Sequence, residues 1–263
     1  MSDSNGCIDG EVLASTSPGS QGAPIVLLHS LGLDRTLWEP VVAQLREFAD
    51  VVLVDLPGHG RSCHIAETSI EEMADELDRF LDDRGIDTVI AVGLSLGGCV
   101  AQALALRHPG RVRALALCDT TSWYGPDGPR NWADRGKQAR ETGLGSLAEF
   151  QLERWFTDGF RSANAELCEE LLDVFRANDL ASYEATCVAM GLFNSTDDLG
   201  RIAVPTTVIV GEGDFATPLS HAEVIAEGIP GARLRVIDDA LHLTPLEKPD
   251  TFVEEIERLI AAE

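Results

Sequence analysis

Short apolar runs rich in β-branched residues alternate along this chain with amphipathic stretches of helical period. Such alternation is typical of parallel strands joined by crossover helices, so the sequence predicts an α/β fold with a mostly parallel central sheet flanked by helices. The predicted strands are 25–29, 51–55, 88–94, 112–118, 206–210 and 234–237. The predicted helices of this core include 34–46, 70–83, 95–107 and 249–262.

The beginning of the chain and the start of one helix carry weaker local signals. A stretch rich in Ser, Gly and Pro at 15–24 predicts a loop, and the strands before it are poorly marked. The helix at 70–83 opens with a capping-box spacing, because Thr68 precedes Glu71 by three residues.

The alternation breaks between the strands at 112–118 and 206–210. This part of the chain has helical patterns but no convincing strand, and we expect it to be a helical cap inserted into the sheet domain. The predicted core is 1–119 with 199–263, and the predicted cap is 120–198. A chain of 263 residues suits one such domain and is short for two. The predicted cap helices are 131–142, 147–157, 165–177 and 182–193.

Composition and charge narrow the class of partner. Hydrophobic residues make up 44% and charged residues 24%, which is ordinary for a globular protein, and no apolar run is long enough to cross a bilayer. The formal net charge of −24 disfavours nucleic acids and anionic membranes. We therefore expect a small-molecule partner, with no nucleic acid and no membrane, and leave homo-oligomers open. The start Met-Ser-Asp-Ser-Asn-Gly lacks a secretion-signal pattern, so the expected location is cytoplasmic.

The six cysteines show no CxxC pair and no Cys/His spacing that suits zinc. We expect reduced and mostly buried thiols, and no metal site. The cysteines are Cys7, Cys63, Cys99, Cys118, Cys168 and Cys187.

The strongest chemical signal is a Gly-x-Ser-x-Gly motif between a predicted strand and a helix of small residues. A nucleophile elbow has this context, because its turn strains the serine backbone and leaves almost no room for side chains at Gly93 and Gly97. The motif predicts Ser95 as the nucleophile and the Leu96 N–H as one oxyanion donor. The alternative is a glycine-rich turn that merely packs a strand on a helix.

A serine hydroxyl needs a base, and the base needs a group that orients it. His242 follows the strand at 234–237 and is the predicted base. Asp214 follows the strand at 206–210, at the sheet edge where open α/β sheets keep their sites, and is the predicted acid. Along the chain the nucleophile comes first, then the acid, then the base, which is the order expected when the nucleophile lies on an elbow motif. Taken singly, Asp214 could only cap a helix and His242 could be an inert loop residue.

Other polar residues remain as rivals or as structural groups. Asp119, at the end of the strand at 112–118, is the first rival acid, and Asp238 and Asp239 follow it. His59 and His108 are expected to be structural.

The second oxyanion donor is predicted in the loop after the first central strand, which reads His-Ser-Leu-Gly-Leu-Asp at 29–34. The Leu31 N–H is the expected donor.

Together these motifs resemble the α/β-hydrolase superfamily over residues 24–260, including the run Asp-Leu-Pro-Gly-His-Gly-Arg-Ser at 55–62. Within it the chain is most similar to 3-oxoadipate enol-lactonases. Ser30 stands where most superfamily members have Gly, as in the enol-lactonases. The motifs that carry this closer resemblance are 29–34, Asn-Trp-Ala-Asp-Arg at 131–135, Arg-Trp-Phe-Thr at 154–157 with Phe160, and Tyr-Glu-Ala-Thr-Cys at 183–187.

The resemblance implies a serine hydrolase that opens a carboxylate-bearing enol-lactone of bacterial aromatic catabolism, the β-ketoadipate pathway, without a cofactor. A substrate with a carboxymethyl arm implies a cation in the pocket. Arg135, three residues after Trp132 on one helix face, is the candidate, and Trp155 and Tyr183 are further candidates for substrate contact. A surface arginine with a packing tryptophan remains an alternative.

Other functions remain open on the same motifs. A triad specifies acyl transfer but not the acyl group, so a carboxylesterase or another lactonase is the first alternative. A ligand-binding receptor with a vestigial hydrolase site is another. A cofactor-free peroxidase or a dehalogenase rests on fold analogy alone, and dehalogenases normally carry an aspartate where this chain has Ser95.

Overall fold

The computed structural model describes residues 6–17 and 22–262. Two sequence predictions fall partly outside these ranges. The location was predicted from residues 1–6, and of these the structure describes Gly6 alone. Residues 18–21 of the loop predicted at 15–24 also lie outside the described ranges. Residue 263 also lies outside the described chain.

Seven strands of the described residues form one sheet in the order β1-β3-β2-β4-β5-β6-β7. Every neighbouring pair is parallel except β1 with β3, so the predicted fold class is confirmed. The strands are β1 (Asp9–Leu13), β2 (Ile25–Leu28), β3 (Val51–Asp55), β4 (Val89–Leu94), β5 (Val112–Cys118), β6 (Thr206–Gly211) and β7 (Arg233–Ile237).

The edge strand β1 was poorly marked in the sequence for a physical reason. It is partly exposed along its whole length, so it lacks an apolar run. Its Gly10 lies so close to β3 that a Cβ atom would stand 2.6 Å from the Leu53 carbonyl oxygen. Glycine weakens a strand pattern, and here close packing requires it.

Helices cover both faces of the sheet, which explains why the central strands read as continuous apolar runs. Strands β2 to β6 are buried almost throughout. No helix of the described chain is long and apolar enough to cross a membrane. The core helices are α1 (Glu39–Leu45), α2 (Ile70–Asp83), α3 (Leu96–Arg107), α9 (Leu219–Gly228), α10 (Thr244–Glu247) and α11 (Pro249–Ala261).

Two local predictions about the core helices are corrected. The capping box of α2 uses Ser69 and Glu72, one residue later than predicted: the Ser69 hydroxyl accepts from the Glu72 N–H, and the Glu72 carboxylate accepts from the Ser69 N–H. Ser69 has the extended backbone that an N-cap needs. The helix predicted at 34–46 is a 3₁₀ turn at Arg35–Trp38 followed by α1.

Between β5 and β6 the described chain contains helices and a single isolated bridge, Trp123 with Asn194. Near that bridge the Ser195 N–H donates to the Ser122 carbonyl at 2.9 Å, so this segment leaves and rejoins the core at one place. Helix α6 was not predicted, and the division at 120 and 198 stays a prediction. The helices are α4 (Gly128–Thr142), α5 (Ala148–Trp155), α6 (Asp158–Ala163), α7 (Ala165–Ala177) and α8 (Leu180–Leu192).

The expectation that all cysteines are reduced is wrong for two of them. Cys7 and Cys63 form a disulfide, with their Cα atoms 5.0 Å apart. They lie 56 positions apart in the chain, so no local motif predicts the pair. In the fold the Cys63 N–H donates to the Cys7 carbonyl, so the two residues are neighbours beside β1. The four other cysteines are free and buried. Disulfides are uncommon in reducing compartments, and the cytoplasmic location stays a prediction.

Candidate active site

The serine of the Gly-x-Ser-x-Gly motif sits at the turn from β4 into α3. Ser95 has φ 54° and ψ −111°, a strained backbone for a residue with a side chain. A Cβ atom on Gly93 would lie 2.2 Å from the Gly97 carbonyl oxygen, and one on Gly97 would lie 2.1 Å from that of Leu28. Only glycine fits at either place, so the turn can present Ser95 at the start of α3.

Ser95, His242 and Asp214 are joined by hydrogen bonds although they lie far apart in the chain. His242 Nε2 is 2.9 Å from Ser95 Oγ, and His242 Nδ1 is 2.8 Å from Asp214 Oδ2. All three residues are buried, with at most 6% of their surface exposed. Because the Asp214 carboxylate can only accept, it places the imidazole proton on Nδ1 and leaves Nε2 to accept the serine proton.

Asp214 is held as an anion by its own loop. Its Oδ1 accepts from the N–H groups of Ala216 and Thr217, and its Oδ2 accepts from the Thr217 hydroxyl at 2.8 Å. Burial raises the pKa of Asp214, but the charge of His242 and the hydrogen bonds from His242 and Thr217 outweigh it and hold that pKa below its usual range.

The rival acid Asp119 has other partners. Its carboxylate accepts from the Gly211 N–H at 2.9 Å and from the Thr244 hydroxyl at 2.6 Å, and its backbone has φ 44°. It thereby joins the end of β6, just before the Asp214 loop, to the residue two positions after His242. Burial and the negative charge of Asp214 raise the pKa of Asp119 well above its usual range, whereas the pKa of Asp214 is lowered.

The two remaining rival acids are exposed and form no described hydrogen bond with His242. Asp239 pairs with Lys248 at 3.0 Å, and Asp238 is exposed.

The loop that carries Leu31 is positioned by a buried histidine. The Leu56 N–H donates to His29 Nε2 at 2.8 Å, so the ring proton is on Nδ1, which donates to the Ser30 carbonyl at 2.9 Å. Burial lowers the pKa of His29 to about 4, which keeps the ring neutral. A trans peptide directs its C=O and N–H in opposite directions, so this bond also orients the Leu31 N–H.

Leu31 lines the cavity over Ser95, and Leu96 is the first residue of α3. Their assignment as oxyanion donors stays a prediction. The two histidines expected to be structural contact other residues of the fold. The His59 ring lies 5.1 Å from that of His29, tilted by 58°, and its Nδ1 is 3.1 Å from the Pro57 carbonyl oxygen. His108 lies between Asp75 and Asp78.

The helical segment closes the cavity from the other side. Trp132, Arg135 and Trp155 line it, and their contact with substrate stays a prediction. Tyr183 does not lie in the lining: it is fully buried, and its hydroxyl accepts from Arg135 Nε at 2.9 Å. It therefore positions Arg135 and is not placed to contact substrate.

Sequence reasoning did not name several residues of the lining as site residues, among them Tyr124, Gln151, Arg154 and Thr217. Gln151 and Trp155 are four residues apart on α5 and thus share a helix face, a signal that was available in the sequence. Arg154 lies in the motif at 154–157 that supported the family resemblance, but nothing local marked its side chain as facing the cavity.

The cavity is cationic in a strongly acidic protein. Within the described chain neither Arg135 nor Arg154 lies within 4 Å of a carboxylate oxygen, whereas Arg107 and Arg111 each pair with aspartates. Burial lowers the pKa of Arg154, and the positive charge of Arg135 lowers it further. With a net charge of −24, this local positive charge suits an anionic group of a ligand.

Comparisons with known proteins agree with this geometry. Residues 23–249 match the family model described as alpha/beta hydrolase fold. The 3-oxoadipate enol-lactonase 1 of Acinetobacter baylyi is 29% identical, over 93% of this chain and 91% of that protein. The crystal structure of the enol-lactonase from Burkholderia xenovorans superposes with a TM-score of 0.91 at 30% identity, covering 97% of this chain and 96% of that one.

An esterase is similar as well. The thermophilic esterase from Thermogutta terrifontis, described with malate bound, has a TM-score of 0.87 at 30% identity, over 95% of this chain and 92% of that one. The resemblance inferred from the motifs is thus confirmed. The chain belongs to the family of hydrolases with the alpha/beta hydrolase fold.

Proposed function

We propose that this protein is a serine hydrolase that opens a carboxylate-bearing enol-lactone, converting 3-oxoadipate enol-lactone to 3-oxoadipate. The observation that carries the proposal is the hydrogen-bonded triad Ser95–His242–Asp214, beside a cavity whose two arginines form no ion pair with any carboxylate of the described chain. The similarity to proteins named enol-lactonases supports the choice of substrate.

In the proposed acylation step, His242 Nε2 takes the Ser95 proton as Oγ attacks the lactone carbonyl carbon. The N–H groups of Leu31 and Leu96 donate to the resulting oxyanion. Collapse of the intermediate breaks the ring C–O bond, and the enol oxygen takes the proton from His242. An enolate is a better leaving group than an alkoxide, and the opened arm stays attached through the acyl group.

In deacylation, His242 takes a proton from water as the water oxygen attacks the acyl carbon, and the same proton returns to Ser95 as the acid is released. The enol then becomes the ketone. Asp214 holds the imidazole in the required tautomer in both steps. Side chains and backbone donors supply each role in this scheme, so it uses no cofactor.

A carboxylesterase or another lactonase is the second candidate. It is favoured by the similarity to an esterase and by an outer cavity of about 630 Å³ next to the site, lined by residues such as Phe150 and Arg154, which offers room for a larger group. A receptor with a vestigial site would show negligible turnover.

The test compares freshly generated 3-oxoadipate enol-lactone with p-nitrophenyl acetate, for the native protein and Ser95→Ala. We expect a kcat/KM at least about a hundredfold higher for the lactone, and a loss of about 10⁴-fold or more in the variant on both substrates. Activity on the ester alone supports the second candidate. A Ser95→Ala protein with native activity would overturn the whole scheme.

A further inference from the structure

The two arginines of the cavity differ in how many of their donors are already used. Arg135 donates through Nε to the Tyr183 hydroxyl at 2.9 Å and through Nη2 to Gln151 Oε1 at 2.8 Å. Its guanidinium also lies 5.0 Å from the centre of the Trp132 ring. Arg135 is therefore held in one orientation, and its edge formed by Nε and Nη2 is occupied by protein groups.

The side chain of Arg154 has no hydrogen bond and no ion pair with any residue that the structure describes. Its contacts are with aromatic faces: its guanidinium carbon lies 5.1 Å from the centre of the Phe150 ring and 5.5 Å from that of Phe215. Ring faces hold a guanidinium through its plane and leave its N–H edges free. Arg154 thus keeps the paired donors that match a carboxylate.

Arg154 lies near both the reacting serine and the entrance of the cavity. It lines the cavity with Ser95 and His242, and it also lines the outer cavity with Phe150. The rings on either side of it are 45% and 54% exposed, as expected at the rim of an entrance. A group bound to Arg154 therefore shares a cavity with an ester carbonyl at Ser95.

Resting on the proposed function, we infer that Arg154 is the residue that binds the substrate's carboxylate through two hydrogen bonds, and that Arg135 is a fixed second cation. A carboxylate here would relieve two unfavourable conditions, the partial burial of the Arg154 charge and its closeness to Arg135. The assignment differs from the sequence prediction, which gave this role to Arg135.

The test uses Arg154→Gln and Arg154→Lys with the acid lactone and its neutral methyl ester. We expect Arg154→Gln to lower kcat/KM for the acid by about 10- to 100-fold, mainly through KM, and for the neutral ester by less than about threefold. Arg154→Lys should recover part of the loss, because a lysine keeps the charge but not the paired donors. Equal losses on both substrates would overturn the inference.

The matched control is Arg130→Gln, which makes the same change in net charge at an exposed residue that pairs with Asp127. It should leave both substrates unaffected. Since Arg154 stabilises no described neighbour through a hydrogen bond, Arg154→Gln should also keep the native melting temperature. A selective loss in Arg135→Gln with none in Arg154→Gln would return the role to Arg135.

A second measurement keeps this inference separate from the lactone proposal. Adipate, a simple dicarboxylate, is tested as an inhibitor of p-nitrophenyl acetate hydrolysis, which requires no lactone activity. We expect the inhibition constant to rise about tenfold or more in Arg154→Gln and to stay unchanged in Arg130→Gln. An unchanged constant in Arg154→Gln would contradict an anion site at Arg154 even if the lactone proves to be the substrate.

Discussion

The carboxyl ends of the strands and the helices α4 and α5 face each other across one cavity, but they hold their polar groups differently. On the strand side, Asp214 accepts from two backbone N–H groups of its loop, and the backbone turn at Ser95 is imposed by tight glycine contacts. On the helical side, the side chains of Tyr183 and Gln151 hold Arg135, and ring faces contact Arg154.

The difference separates two tasks of an enzyme. Groups that stabilise a transition state must be in place before the substrate arrives, and backbone donors at strand ends provide that order. Groups that select the substrate can lack some hydrogen-bond partners in the free protein, since the bound ligand supplies them. Variants on the strand side should therefore change kcat, and variants on the helical side should change KM for charged substrates.

The largest effect is expected on the strand side, where the two buried acids can be told apart. Asp214→Asn should lower kcat by about 10³- to 10⁴-fold with near-native stability, because an amide no longer enforces the imidazole tautomer. Asp119→Asn should lower kcat by less than about tenfold but reduce the free energy of unfolding by about 1–3 kcal/mol, since its NH₂ faces the donors of Gly211 or Thr244. Steady-state kinetics and urea unfolding of both variants measure this, and the opposite pattern would make Asp119 the orienting acid.

A second prediction concerns the stability of the strand side at acid pH. Burial lowers the pKa of His29 to about 4, and burial with the neighbouring His29 lowers that of His59 to about 3, from 6.5 in the unfolded chain. Below pH 6.5 the unfolded state binds more protons, so the free energy of unfolding should fall as the pH drops from 6.5 towards 4. The two together should contribute up to about 2.7 kcal/mol per pH unit.

Urea unfolding between pH 7 and pH 4 measures this slope. His59→Asn should reduce it by about half, because one of the two neutral histidines is removed. His64→Asn is the control, since the side chain of His64 is 79% exposed, and it should leave the slope as in the native protein. A native slope in His59→Asn would contradict a buried, neutral His59.

The smallest effect is expected from a change at Tyr183, whose hydroxyl accepts a hydrogen bond from Arg135. Tyr183→Phe removes the hydroxyl that accepts from Arg135 Nε and leaves that N–H without its partner. Arg135 should lose its fixed orientation, so KM for the acid lactone should rise about three- to tenfold while kcat stays within about twofold. A comparable rise in KM for the neutral methyl ester would show instead that the variant disturbs the cavity as a whole.

Much of the strand side could be predicted from local patterns. The strands at 51–55 and 112–118 and the helix at 70–83 have the predicted bounds, because buried strands and amphipathic helices carry their environment in their own residues. The elbow was predictable for a similar reason: Gly93 and Gly97 are needed by the turn that they flank. Chain order then pointed to Asp214 and His242.

The helical side was less predictable, since its residues acquire meaning from distant neighbours. Nothing in its motif distinguishes Arg154, with free donors, from Arg135, whose donors are taken by Tyr183 and Gln151. The disulfide of Cys7 and Cys63 was missed in the same way, because the two cysteines lie 56 positions apart in the chain.

Periodicity and turn chemistry are local quantities, so the residues alone specified the sheet, the order of its central strands along the chain, and the nucleophile turn. The pairing of polar groups is not local. Three features depend on distances between segments that packing brings together: whether an arginine has a carboxylate partner, whether Asp119 or Asp214 contacts His242, and which tyrosine lines the cavity. Those distances set the hydrogen bonds and the desolvation of each charge, and they became visible only in the folded molecule.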